Sequence, residues 1–173
     1  AGLVGAMDEA QKMEPALIRQ LFEMGLMGIE VPEESEGCGA TLFTSVLVVE
    51  ELSKVDPSVG VLVDVQNTLV NNAFLRWGSD AIKERFLPQL AGSRVGAYAL
   101  SEAGSGSDAF ALATTAVQAD GGYRLTGRKL WITNGAEAEI YIIFANANPG
   151  AGYKGITAFV VEREQAGFSV GKK

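Results

Sequence analysis

Residues 92–109 read GSRVGAYALSEAGSGSDA, and the character of the sequence changes across this stretch. Before it, apolar residues recur at helical spacing. After it, short β-prone runs alternate with turn residues such as Asp120-Gly121-Gly122 and Asn134-Gly135. A helical block followed by a strand block favours an α+β fold over alternating βαβ units. We therefore predict an all-α helical domain over residues 1–93 and an antiparallel β-barrel domain over residues 94–173.

The first block contains four predicted helices. Apolar spacing places them at residues 15–24, 41–55, 59–77 and 81–86. The third is apolar on most sides, as expected of a helix in an interior, and it carries a polar band that includes Gln66 and Asn67. Ser79 is expected to cap the fourth helix, and Pro88 to interrupt it.

The second block contains six β-prone runs. They lie at residues 95–100, 114–117, 123–125, 129–132, 140–145 and 156–161. Turn residues separate them at a spacing typical of an antiparallel barrel or sandwich. In the fourth run, strand alternation places Trp131 and Thr133 on one face, just before a turn.

Composition excludes several classes of function. The 173 residues include no histidine and a single cysteine, Cys38, so neither an internal disulfide nor a His/Cys zinc site is possible. Ser-His-Asp and Cys-His catalysis are excluded as well, because both need an imidazole base. A net charge of −7 without any basic run argues against a nucleic-acid partner. No apolar run reaches membrane-spanning length, so no membrane span is expected.

Two segments of the second block are candidates for a ligand site. In SEAGSGSDA, residues 101–109, small residues offer backbone N–H groups that can approach a phosphate closely. Residues 104–109 also match the dinucleotide fingerprint G-x-G-x-x-A, but no βαβ unit surrounds them, which argues against a Rossmann site. A flexible Gly/Ser turn remains the alternative.

The second segment offers an aromatic plane beside a hydroxyl. Trp131 and Thr133 could face a flat cofactor. A core tryptophan next to a turn threonine is the alternative, and spacing alone does not decide between the two.

Five segments, in order and at the expected separations, resemble the acyl-CoA dehydrogenases. They are GLMGIEVPEE (25–34), EELSKVDPSVG (50–60), LSEAGSGSDA (100–109), GRKLWITNGAEAE (127–139) and GYKGITAFVVERE (152–164). Members of this family are flavoenzymes with an N-terminal helical domain, a middle β domain and a C-terminal four-helix bundle. The resemblance covers nearly all of the chain. VDVQNTLVNN (63–72) and NPGAGYKGIT (148–157) look most like members that act on short or branched acyl chains.

The resemblance implies an FAD site. The positions that match flavin-binding residues are Tyr98, Leu100, Ser101, Gly106, Ser107, Trp131, Ile132 and Thr133. Gly106 and Ser107 match the segment at the FAD pyrophosphate. Trp131 matches the residue on the flavin face away from substrate, and Thr133 the hydroxyl near flavin N5. Ser107 and Tyr153 match positions that contact the acyl-CoA.

The resemblance also implies the reaction and the partners. A carboxylate takes the α proton of a fatty acyl-CoA while a hydride leaves the β carbon for the flavin, and electrons then pass to electron transfer flavoprotein. The family's catalytic glutamate lies in the C-terminal bundle, which has no counterpart here, so no catalytic residue is assigned in this chain. The whole protein is expected to be a homotetramer, in the mitochondrial matrix or in a bacterial cytoplasm. The alternative is a truncated, non-catalytic module that binds acyl-CoA or a protein.

Three features depart from the family pattern or stay open. The family's first helix is expected to be missing. Ser35-Glu36 stands where the family has an aromatic-glycine pair, which puts the usual packing of that loop in doubt. Gln66 and Asn67 either lie near the acyl-chain pocket or form a polar stripe between helices.

Overall fold

A computed structural model describes residues 3–171 of the chain, which divides into two compact units, residues 1–96 and 97–173. The first unit is helical. Its α-helices are α1 (Val4–Ala10), α2 (Pro15–Glu23), α3 (Leu42–Ser53), α4 (Pro57–Asp64), α5 (Asn72–Trp77) and α6 (Asp80–Gly92). A π-helical segment, Val65–Asn71, joins α4 to α5 without a break. The short helix α1 was not predicted from the apolar spacing. None of the helices in the described part of the chain is long and apolar enough to cross a membrane.

Local sequence signals explain where these helices begin. Asp56 accepts a hydrogen bond from the Ser58 amide at 2.8 Å and so caps α4, and the predicted cap Ser79 accepts from the Ile82 amide at 3.4 Å. The predicted interruption at Pro88 is wrong, because α6 continues to Gly92. The apolar residues around this proline, including Leu87 and Leu90, are buried, so packing holds the helix together despite one missing N–H.

The π-helical segment carries buried amide side chains that bond to backbone groups. The Gln66 amide donates to the Leu90 carbonyl at 2.7 Å, and its oxygen accepts from the Gly96 amide at 2.7 Å. The Asn67 amide donates to the Leu26 and Val63 carbonyls at 2.8 and 3.0 Å. Its oxygen accepts from the Ile29 amide at 2.9 Å. Of the two readings left open for Gln66 and Asn67, the structure therefore shows the polar stripe between elements of the helical unit.

The loop after the PEE motif contains a strained position. Glu36 has φ +66°, in the left-handed region that favours glycine. It follows a 3-10 turn at Glu33–Ser35, and its amide donates to the Glu33 carbonyl at 3.0 Å. The glycine that the family resemblance implies at this position would adopt the same backbone without strain.

The second unit contains a five-stranded sheet. Its strands are β1 (Gly96–Ala99), β2 (Thr115–Ala119), β3 (Gly122–Thr126), β4 (Ile140–Asn146) and β5 (Ile156–Glu162). β4 pairs antiparallel with β5 from Ile140↔Glu162 to Asn146↔Ile156. β2 and β3 form an antiparallel hairpin whose turn includes Gly121 at φ +79°. Buried residues such as Ile140, Ile142 and Ala145 make β4 the centre of this unit's core.

The predicted antiparallel barrel is not what the described residues form. β2 pairs with β4 in parallel, through the single register pair Thr115↔Asn146, so the sheet is mixed and open. Alternating apolar residues indicate where strands lie, but they carry no information about which strands pair or in which direction.

The predicted strand at residues 129–132 is also wrong. Trp131 has φ +57°, which no strand residue adopts. The Leu130 amide donates to the Ser101 carbonyl at 2.9 Å instead of to a neighbouring strand of the sheet. Trp131 and Thr133 therefore lie in an irregular segment rather than on one face of a strand.

Candidate active site

A buried ion pair lies at the base of the loop that contains the predicted phosphate-contacting residues. The Glu102 carboxylate lies 2.7 Å from the Lys129 ammonium, and the two side chains are 7% and 10% exposed, respectively. The same carboxylate accepts hydrogen bonds from the Ala113 amide at 2.6 Å, the Thr114 amide at 3.1 Å and the Thr114 hydroxyl. Burial raises the pKa of Glu102, but the hydrogen bonds from Lys129, Thr114 and Ala113 outweigh burial and lower the pKa to about 2.

Further hydrogen bonds connect the two segments that the sequence singled out. Lys129 donates to the Leu100 carbonyl at 3.1 Å, and the Leu130 amide donates to the Ser101 carbonyl at 2.9 Å. The end of β1 is therefore held against the segment that leads to Trp131. The structure thus brings Leu100 and Ser101 close to this segment, as a shared site requires.

The loop itself is anchored at one buried residue and open at its other positions. Ser105 is 2% exposed, pairs with the Glu102 backbone in both directions, and donates its hydroxyl to the Asp108 carbonyl at 3.0 Å. Gly104, Gly106 and Ser107 are exposed, and across residues 3–171 none of them forms a hydrogen bond. A Cβ added at Gly104 or Gly106 would meet no atom within 4 Å.

This donor set fits the pyrophosphate of FAD. Backbone N–H groups of glycines can approach phosphate oxygens closely, and the Ser107 hydroxyl adds a further donor. The open space above Gly104 and Gly106 leaves room for such an approach. Gly106 and Ser107 would hold the pyrophosphate.

The segment that contains Trp131, Ile132 and Thr133, here called the Trp131 segment, has exposed side chains and is followed by a turn held by hydrogen bonds. Trp131 is 89% exposed, and Thr133 is exposed as well. The turn that follows is closed by the Ala138 amide, which donates to the Asn134 carbonyl at 2.7 Å. The Tyr141 hydroxyl donates to the Gly135 carbonyl at 3.0 Å and supports the turn from β4. Ile132 is half-buried between the two exposed residues.

Aromatic pairs fix the two remaining predicted site residues. The Tyr98 ring packs on Phe144 with centroids 4.9 Å apart, and burial raises the pKa of Tyr98. Tyr153 lies in the 3-10 segment Pro149–Gly155, is 58% exposed, and packs on Phe110 with centroids 5.1 Å apart. Asp108 caps the short turn that carries Phe110, so Tyr153 is connected to the Ser107 loop through a few contacts.

Sequence reasoning missed the roles of Lys129, Thr114 and Glu102. Lys129 and Glu102 are 27 residues apart, so no local pattern could pair them. The available signal was that Glu102 lies in the motif at residues 100–109 and Lys129 in the motif at residues 127–139. Within residues 3–171, no three or more His, Cys, Asp or Glu side chains cluster in a way that could hold a metal ion.

Comparison with known families identifies the class of this protein. Residues 2–94 match the acyl-CoA dehydrogenase N-terminal domain, and residues 97–173 match the acyl-CoA dehydrogenase middle domain. The chain belongs to the acyl-CoA dehydrogenase family, and the resemblance seen in the sequence motifs is confirmed.

Two relatives indicate the branch of the family. The chain is 51% identical to a probable short/branched chain specific acyl-CoA dehydrogenase from Dictyostelium discoideum, covering 99% of this chain and 42% of that protein. It is 47% identical to the mitochondrial short/branched chain specific acyl-CoA dehydrogenase of Rattus norvegicus, covering 100% of this chain and 40% of that protein. The chain thus spans about two fifths of the length of the curated relatives it matches.

Solved structures share the fold. The electron transferring flavoprotein structure from Acidaminococcus fermentans matches with a TM-score of 0.96 and 39% identity, covering 99% of this chain and 46% of that chain. An acyl-CoA dehydrogenase complexed with FAD from Bacillus anthracis matches with a TM-score of 0.78 and 36% identity, covering 89% and 26%.

Proposed function

We propose that this chain supplies the N-terminal helical part, residues 1–93, and the middle β part, residues 94–173, of an FAD-dependent acyl-CoA dehydrogenase. The substrate is a short or branched-chain fatty acyl-CoA, which is dehydrogenated between its α and β carbons. The two short/branched chain specific relatives, at 51% and 47% identity, support this substrate class. The relative solved with FAD supports the cofactor.

Each predicted site residue has a role in this proposal. Tyr98, Leu100 and Ser101 line the flavin ring from the end of β1. Gly106 and Ser107 bind the pyrophosphate, and Ser107 also faces the acyl-CoA, whose CoA portion Tyr153 contacts. When bound, the flavin supplies the redox capacity, while the protein supplies orientation and electrostatics.

The remaining flavin contacts come from the second segment. The exposed Trp131 ring packs on the flavin face away from substrate, Ile132 supports it, and the Thr133 hydroxyl donates near flavin N5.

The catalytic base lies outside this chain in our proposal. Glu102 directly follows Ser101 of the candidate site, but its oxygens already accept hydrogen bonds from Ala113, Thr114 and Lys129. Those bonds, together with a pKa of about 2, make Glu102 a weak proton acceptor at neutral pH. Glu50 and Glu51 lie on α3 and pair with the exposed Lys54. None of these carboxylates is proposed as the base.

Partners and location follow from the relatives. Electrons pass to electron transfer flavoprotein, the acceptor that the family resemblance implies. The whole protein acts as a homotetramer. Its location is the mitochondrial matrix, since the rat relative is mitochondrial, or a bacterial cytoplasm, since a Bacillus subtilis acyl-CoA dehydrogenase is 43% identical.

The observation that carries the proposal is the hydrogen-bonded connection between the Ser101 loop and the Trp131 segment. The experiment that tests it is an FAD titration of the full-length protein that contains this sequence, with flavin reduction by a short branched acyl-CoA as a second readout. Trp131→Ala is expected to weaken FAD binding about tenfold, because an aromatic stacking surface is lost. Thr133→Ala is expected to slow flavin reduction.

Matched controls are available in the same chain. Trp77 is 85% exposed, and Thr126 is exposed on β3, so Trp77→Ala and Thr126→Ala should leave FAD affinity and the reduction rate unchanged. If Trp131→Ala and Thr133→Ala behaved like these controls, the assignment of the flavin site would be wrong.

A further inference from the structure

The Glu102–Lys129 pair closes the loop that contains Gly106 and Ser107. Glu102 precedes this loop, and its carboxylate accepts from the amides of Ala113 and Thr114, which follow it, at 2.6 and 3.1 Å. The two ends of the loop are therefore joined through one buried side chain. Because Gly106 and Ser107 form no hydrogen bond of their own among the described residues, the position of their amides depends on the Ser105 bonds and on this closure.

Lys129 extends the closure to the second segment. Its ammonium contacts both Glu102 and the Leu100 carbonyl, at 2.7 and 3.1 Å. Lys129 is two residues before Trp131, and the intervening Leu130 is bonded to Ser101 at 2.9 Å. A shift of the ion pair would therefore move the pyrophosphate loop and the Trp131 segment relative to each other.

The chemistry of the pair argues for a positioning role rather than for stability alone. Burying two opposite charges is costly, and apolar residues of similar size often stabilise a fold as well or better. Charged hydrogen bonds fix direction and distance more tightly than apolar contacts do. The neighbouring segments offer exposed side chains and unbonded donors. An ion pair that fixes the backbone would hold these groups in position for a ligand.

We propose that Glu102 and Lys129 are positioning residues that hold the pyrophosphate-contacting loop and the Trp131 segment at the spacing required for FAD. This inference rests on the proposed function. It extends the cofactor site to two residues that touch neither the reacting atoms nor the flavin.

The test measures FAD affinity, the visible circular dichroism of bound flavin and the melting temperature of the apoprotein, all in the full-length protein. Glu102→Gln and Lys129→Met are each expected to weaken FAD binding by about tenfold or more and to change the flavin dichroism. The double variant should lose less FAD affinity than the product of the two single-variant losses, because neither charge is then left unpaired. Glu51→Gln and Lys54→Met break an exposed ion pair of 2.6 Å and should leave both flavin readouts unchanged.

A milder variant protects the test against misfolding. Thr114→Val removes one donor to Glu102 with little change in shape and is expected to weaken FAD binding about threefold. A drop in apoprotein melting temperature with wild-type FAD affinity and dichroism, in the charge variants or in Thr114→Val, would overturn the positioning role. Failure of the wild-type protein to bind FAD would instead overturn the proposed function, and the positioning role with it. FAD binding that responds to Trp131→Ala but not to Glu102→Gln would reject the positioning role alone.

Discussion

The two units both bury polar side chains beneath irregular backbone, but they use opposite chemistry. In the helical unit, the neutral amides of Gln66 and Asn67 are fully buried and bond to backbone groups of distant segments. In the β unit, a charged pair, Glu102 and Lys129, holds the loop and the segment around it. Neutral amides in the helical unit and an ion pair in the β unit thus both hold irregular backbone in place.

The difference lies in what surrounds each cluster. Around Asn67, the bonded backbone is buried and its hydrogen bonds are made within the chain. Around Glu102, the neighbouring Gly104, Gly106 and Ser107 are exposed and form no hydrogen bond within the described chain. Buried polar residues alone therefore do not mark a site. In our proposal, the site is marked by donors that are held in place and form no hydrogen bond within the described chain.

Removing an amide from the helical stripe should give the largest loss of stability. Asn67→Ala leaves the Leu26 and Val63 carbonyls and the Ile29 amide without their partner. At about 1–3 kcal/mol for each orphaned group, partly offset by relaxation, the free energy of unfolding should fall by about 4 kcal/mol. Urea denaturation of the full-length protein measures this change. Asn148→Ala, at an exposed asparagine, should have little effect, and equal effects of the two substitutions would contradict the structural role of Asn67.

Acid should weaken the β unit through Glu102. Because its pKa falls from 4.5 to about 2 on folding, the stabilisation is complete above about pH 4.5 and is lost as the pH falls through about 2. Its size is on the order of 3 kcal/mol. The difference in unfolding free energy between wild type and Glu102→Gln should therefore shrink as the pH falls through this range. A difference that stays constant from pH 6 to about pH 2 would show that the carboxylate is not held as described.

Sequence patterns predicted those parts of the fold that depend on local contacts. The helix at 15–24 corresponds to α2, and the runs at 140–145 and 156–161 correspond to β4 and β5, because apolar periodicity follows the buried face of each element. The interruption predicted at Pro88 does not occur, since burial of Leu87 and Leu90 outweighs one missing hydrogen bond.

The same sequence patterns could not predict contacts between residues far apart in the chain. The segment at 129–132 has the composition of a strand, yet Leu130 bonds to Ser101 and Trp131 turns into the left-handed region. Strand direction in the sheet and the Glu102–Lys129 pair likewise depend on contacts between residues far apart in sequence. The motifs around Ser107 and Trp131 could be found in the sequence, but the connection between them needed the structure.

Amide hydrogen exchange of the full-length protein, with and without FAD, tests the central claim most directly. Without FAD, the unbonded amides of Gly104, Gly106 and Ser107 should exchange fast. With FAD bound, the amides of Gly104, Gly106, Ser107 and residues 131–133 should become protected, while those of residues 66–71 should not change. FAD binding without new protection at residues 104–107 would contradict the account.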